Sequence, residues 1–344
     1  MEDARRGGVN REEPMKFISK TVFAAAVSLL AGALSSASAE DLTKINVAYD
    51  GFTMTSAPMQ YALSKGLFQK YGLDVNLVYV EGGSVLTQAL VGGSVDIAQN
   101  GYTPSIAAAV AGADVVIVGG IANKLPFQLV VDGSIQNADQ LKGKSIAISK
   151  FGSSTDTAVK FALKSLNLAV TDVNILQLGG EGTRAAAYES HQVQGLMVQY
   201  PRTQEMVDAG SKMLVDVTDI VADYPNTAYV TSKTFLSAHP DLMKRFFMAM
   251  GEGLRGFRAN PEDAMKVTAS FLKLKEGPAV EQAFRFYSER VFPQDLRPSV
   301  SGVAAVLTEL AATVPAAASV KPETLVDTTV LDALDKEGFF KNTN

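Results

Sequence analysis

Apolar positions along this chain gather in short β-branched runs. Each run stops at a corner rich in glycine and hydroxyl side chains, and apolar residues at helical spacing follow. The cycle occurs six times between Asn46 and Tyr200. Ile45–Ala48 predicts a strand with Gly51–Ser56 as its polar exit, and Pro58 falls in the first turn of a helix carrying Met59, Ala62, Leu63 and Leu67 on one face. Leu73–Val80 alternates as a strand. Gly82-Gly83-Ser84 follows, with Ser84 placed to cap a helix bearing Val85, Leu86, Ala89 and Leu90. Val95–Ala98 is the next strand and Asn100–Thr103 its corner. Pro104 opens a helix of small residues, and Val115–Val118 reads as buried strand. The βαβα order predicts an α/β fold with a mostly parallel sheet.

The pattern then restarts. Phe127–Val131, Ser145–Ser149, Val173–Leu178 and Leu196–Gln199 read as strands, with hydroxyl- or glycine-rich corners at 152–157 and 179–183. Thr227–Val230 reads as a strand returning to the first lobe. From Pro240 onward the chain is mostly helical, with Leu242, Phe246, Met250, Leu254 and Phe257 at core spacing. The expected organisation is a leader and signal over 1–39, a first lobe from 40–127 and 227–344, and a second lobe, 128–226, inserted between them. Two crossings would then join the lobes, as a hinge requires.

Composition narrows the function. A chain of 344 residues exceeds what one core usually serves. Its net charge of −5 carries no basic block, which argues against nucleic acid as a partner. Cysteine is absent and the two histidines are His191 and His239, so thiol, zinc and cluster chemistry have little material; neither metal nor cofactor is expected. Met15-Lys16 and Lys20 begin a basic segment, Thr21–Leu34 is apolar, and Ala37-Ser38-Ala39 matches an export cleavage site. The expectation is a periplasmic protein cleaved after Ala39. Residues before Met15 read as an alternative start or leader.

The corners themselves suggest binding. Helix starts expose backbone N–H groups that favour anions, and small side chains allow close approach. Thr55 and Ser56, with Thr53 beside them, stand before the first helix, either as ligand contacts or as caps. Gly82, Gly83 and Ser84 admit a ligand's approach or mark a turn. Asn100, Tyr102 and Thr103 lie beyond a strand's carboxyl end, where open α/β sheets place ligands. Ser153, Ser154 and Thr155 are three hydroxyls in a row, more than one cap requires. Glu181 could receive an amino group, favour its helix start or pair with Arg184. Tyr200 and Tyr224, each before a proline, could wall a cleft or simply pack. LKGKS (141–145) resembles a phosphate loop in outline but lacks its first glycine, since Ala138 holds that position. Catalytic roles are assigned to none of these residues.

The ordered series GLFQKYGLDV (66–75), ALVGGSVDIAQNG (89–101), AAAVAGADVVIVGGI (107–121), DQLKGKSIAI (139–148), FGSSTD (151–156), RAAAYESHQVQGLMVQYP (184–201) and FLSAHPDLMKRFFMAMGEGLRGFRANPEDA (235–264) resembles the substrate-binding proteins of nitrate, sulfonate and taurine ABC importers, a group that includes thiamine-precursor binders. One departure is Val193-Gln194-Gly195, where the family often carries an aspartate. The resemblance implies a type II periplasmic-binding-protein fold, two lobes closing on a ligand, and an inner-membrane permease as partner. It implies a monomer that captures a small organic anion of sulfonate, taurine or nitrate type. A thiamine-precursor pyrimidine or an aromatic carboxylate is the alternative ligand. An enzyme like the pyrimidine synthase of the same fold is the alternative class, disfavoured by the missing cysteine.

Overall fold

The structure, a computed structural model, describes residues 42–221 and 224–341. The predicted export signal lies outside the described residues. Among these residues ten strands form two five-stranded sheets. The first sheet joins β1 (Thr43–Tyr49), β2 (Leu73–Tyr79), β3 (Ile97–Gly101), β4 (Val116–Ala122) and β10 (Thr227–Thr231) in the order β2-β1-β3-β10-β4. The second joins β5 (Gln128–Val131), β6 (Ser145–Ile148), β7 (Asn174–Gln177), β8 (Gly195–Val198) and β9 (Lys212–Asp216) in the order β7-β6-β8-β5-β9.

The two orders are the same plan. β1 lies parallel to β2 and β3, and β6 parallel to β7 and β8. In each sheet the fourth position is antiparallel to both neighbours: β10 in the first, β5 in the second. Topology explains the reversal. Strands of the βα units finish at the cleft between lobes, whereas β5 and β10 follow the crossings and so enter from the cleft. The sheets are therefore mixed, with one reversed strand each. Strands β3, β5, β8 and β10, inside their sheets, and β4, at the end of the first sheet, are buried at every residue, so none shows the alternation of a half-exposed strand. Edge strand β2 alternates instead.

The strand β9 was not predicted. KMLVD is short, charged at both ends and half-exposed at a sheet edge, so it carries no clean period. Ser84 also differs from expectation. The helix Gly83–Val91 has Gly82 at its N-cap, with φ of 87°, which leaves Ser84 inside the first turn.

A twenty-residue helix, Pro240–Ala259, packs over the first sheet. It buries Phe246, Phe247, Met250, Leu254 and Phe257 in a cluster with Met59, Tyr61 and Ala62 of the helix Ala57–Ser64. A second apolar cluster runs through both lobes, from Tyr102 and Ile106 to Ile146, Val159 and Tyr224. It forms the seam below the cleft. No helix among the described residues is long and apolar enough to cross a membrane.

Candidate functional site

The carboxyl ends of β1, β6 and β8, with the corners after β2 and β7, face a common cavity of ≈ 70 Å³. Its walls come from both lobes. The first lobe supplies Asp50, Thr53, Thr55, Gly82 and Gly83. The second supplies Ser149, Ser153, Ser154, Thr155, Gly180, Glu181, Arg184 and Gln199. Phe127, Asn226 and Thr227, at the crossings, close the floor.

On the second lobe, hydroxyls form a triangle at the start of the helix Ser154–Ser165. Ser149 Oγ donates to Ser153 Oγ at 2.8 Å, and Thr155 Oγ1 lies 2.9 Å from each of them. The Ser149 amide donates to Thr155 Oγ1 at 2.9 Å. The Ser153 side chain therefore accepts no bond from the helix's first turn, although Ser153 is the N-cap. That turn keeps N–H groups free of capping by Ser153 beside the cavity, with the positive end of the helix dipole behind them. Opposite, Thr53 Oγ1 and Thr55 Oγ1 are 2.9 Å apart.

Two carboxylates share this space. Asp50 follows the last residue of β1, and burial raises its pKa to about 6, against partial relief from backbone hydrogen bonds. Glu181 opens the helix Glu181–Glu189; burial raises its pKa too, with Arg184 and Arg202 opposing the shift. Glu181 Oε2 is buried without a hydrogen-bond partner. Arg184 does not ion-pair with it among the described residues. Its Nη1 donates to the Gly179 carbonyl at 2.5 Å and its Nε to the Met197 carbonyl at 3.3 Å, which ties the corner after β7 to β8. The cavity thus joins a hydroxyl and N–H lobe suited to an anionic head with two acids suited to a donor.

The residues singled out from sequence separate into four sets. Thr55, Gly83, Ser153, Ser154, Thr155 and Glu181 line the cavity. Ser56 and Asn100 lie beneath it. Ser56 donates to the Gly51 carbonyl and accepts from Gln99, while Asn100 Nδ2 reaches Thr87 Oγ1 at 2.6 Å and the Gly83 carbonyl at 3.1 Å. Both are fully buried, so they hold corners in place instead of facing solute. Tyr102 and Tyr224 sit in the apolar seam, with the Tyr224 ring edge-on to Phe161 at 5.0 Å. Tyr200 packs on Phe286 at 5.2 Å and borders a neighbouring hollow, and Ser84 is off the wall. Sequence reasoning passed over Asp50, Ser149 and Gln199. Each is the residue just beyond the end of its strand, so attention to strand ends would have found them.

Contacts also cross the cleft. Glu81, after β2, accepts from the Gly180 amide on the other lobe. Thr157 Oγ1 lies 3.5 Å from Thr103 Oγ1. A Cβ on Gly101 would sit 2.6 Å from Ser154 Oγ and 3.1 Å from Pro104 Cδ, so a larger residue here would have to push the Ser154 hydroxyl of the other lobe aside.

Two lobes of this topology with a cavity between them define a periplasmic-binding-protein fold. The NMT1/THI5-like family model matches residues 53–264, and the chain belongs to that family. The taurine-binding periplasmic protein of Escherichia coli K12 is 28% identical over 236 residues, covering 67% of this chain and 71% of its own. A protein of Bordetella bronchiseptica RB50 superposes with TM-score 0.76 at 23% identity, covering 87% of this chain and 98% of its own. The alkanesulfonate-binding protein of Xanthomonas axonopodis pv. citri, bound to MOPS, superposes with TM-score 0.68 at 18% identity, covering 85% and 98%. The chain is a solute-binding protein of the sulfonate, taurine and nitrate group of ABC importers. The family implies a membrane permease as its partner.

Proposed function

We propose that this chain is the periplasmic receptor of its importer and captures a small sulfonate-class organic acid that also carries an amino or similar donor group. The observation that carries this reading is the split chemistry of the cavity. Hydroxyls of Ser149, Ser153, Ser154 and Thr155, with helix N–H groups, suit the anionic head, and Thr53 and Thr55 complete that end. Asp50 and Glu181 would repel a simple anion but receive a donor or ammonium. Residues 128–226 act as a lobe inserted between 40–127 and 227–344, and the two crossings act as the hinge. Closure is driven by contacts the ligand makes only when both rims face it. Names of relatives support the ligand class: one binds taurine and one an alkanesulfonate.

A thermal-shift and calorimetry panel tests the reading with taurine, methanesulfonate, nitrate and an aminopyrimidine. Ligand at a hundred times its Kd should add about 2.7 kcal/mol to stability. Taurine is expected to stabilise the protein more than methanesulfonate does. Stabilisation by the aminopyrimidine alone would overturn the assignment.

A further inference from the structure

Beside the inner cavity, and sharing Gly180 and Glu181 with it, lies a second hollow of ≈ 420 Å³ that nothing above explains. The size contrast is informative. The inner space is the smaller and suits a compact polar head, whereas the outer one falls in the range of small-molecule pockets. Both lobes contribute to it. Phe52, Tyr79 and Glu81 come from the first lobe, Thr183 and Arg202 from the second, and Lys273 from the end of the helix Pro261–Leu272.

Its first-lobe wall is aromatic. Phe52 lies 4.6 Å from Tyr79 and 5.2 Å from Phe271, centroid to centroid, and 5.7 Å from Tyr49 edge-on. Even so, Phe52 keeps 39% of its surface exposed on a polar loop two residues from Asp50. A large apolar ring left open at the mouth of a polar cleft is a surface that gains from cover. Lys273 holds its ammonium 5.9 Å from the same ring and makes no ion pair among the described residues. It takes φ of 56°, a left-handed conformation at the helix end.

We propose that the outer hollow receives an aromatic body of the ligand, stacked on Phe52 beside Lys273, while the ligand's acidic head occupies the inner cavity. The preferred solute is then an aryl sulfonate or close kin, larger than nitrate or taurine. This rests on the head-group reading above.

Calorimetry on the full chain separates the two claims. Methanesulfonate and benzenesulfonate share a head and differ in the body, and they are titrated into wild type, Phe52→Ala and Phe52→Leu. Benzenesulfonate is expected to bind at least tenfold tighter than methanesulfonate to wild type. Phe52→Ala should erase that ratio while leaving methanesulfonate within twofold, and Phe52→Leu should keep part of it. Equal affinity of wild type for both sulfonates overturns the proposal and leaves the head-group reading standing. So does an equal loss for both in Phe52→Ala, with the variant's unliganded melting point unchanged. Failure of both sulfonates to bind overturns both.

Discussion

Replacing Asp50 by asparagine tests the cavity's electrostatics most directly, because the same carboxyl controls stability and binding with opposite signs. Its pKa is about 6 in the folded protein, against 3.8 for an unperturbed aspartate. Below pH 3.8 both states hold the proton and nothing depends on this group. Between 3.8 and 6 the unfolded chain has lost its proton while the native state keeps it, so stability falls as pH rises. Above 6 the penalty is complete. It amounts to at most about 3 kcal/mol, since displacing a pKa by one costs about 1.36 kcal/mol, and solvent reaching the half-buried side chain lowers it further. Asp50→Asn removes it. Urea denaturation should therefore find the variant more stable than wild type at pH 7, with the gap closing toward pH 4. Glu181 faces the same cleft and Tyr79 lies near, but both are present in both proteins and cancel in the difference. Binding should respond the other way. An ammonium-bearing sulfonate favours the ionised carboxyl, so wild-type affinity should rise with pH, by up to about tenfold per pH unit below pH 6. The variant should bind more weakly and lose that slope. Parallel stability curves across the whole range would show that Asp50 is not desolvated, and unchanged amine affinity would show that it does not meet the ligand.

The hydroxyl wall, the glycine corner and the cross-cleft contact each have their own test. Changing Ser153, Ser154 and Thr155 together to alanine should weaken sulfonate binding by about 100-fold or more, since hydrogen bonds to a charged group contribute roughly 1.5–3 kcal/mol each; circular dichroism should show the fold intact, and unchanged calorimetric affinity would count against this wall. Gly83→Ala would place a Cβ 2.7 Å from Asn100 Oδ1 and 3.1 Å from Asp50 Oδ2. Because Asn100 is locked by its own hydrogen bonds, denaturation should register a loss of about 1–3 kcal/mol. Glu81→Gln should weaken the bond to the Gly180 amide and the attraction to that helix start, worth about 0.3–1 kcal/mol. Small-angle scattering of the unliganded variant should report a larger radius of gyration, and an identical profile would refute a latch at this point.

What sequence made legible was the part of the fold governed by local rules. Runs such as Val116–Ala122 and Gly195–Val198 are apolar throughout because both faces are covered, and the corners that end strands carry the glycines and hydroxyls a turn needs. The reversed direction of β5 and β10 was hidden, because nothing in QLVV or TAYVT differs from a parallel strand; only the crossing from lobe to lobe dictates it. At the site, corner chemistry pointed to both rims but could not separate wall from scaffold. Ser153 and Ser56 are alike as residues before a helix. One turns its hydroxyl into a triangle facing the cavity and the other spends both bonding directions on Gly51 and Gln99. Asp50 and Ser149 were missed for the converse reason: each reads as the polar end of a strand, a common place for a solvated side chain. A sheet delivers that last residue to the cleft whenever two lobes share it, so the polar residue ending a strand carries as much information as the corner beyond. That placement gives each rim groups aimed by rigid strands. Under the proposed hinge the acids and hydroxyls would keep their local geometry on closure, and specificity would be decided by whether one solute can satisfy both rims at once.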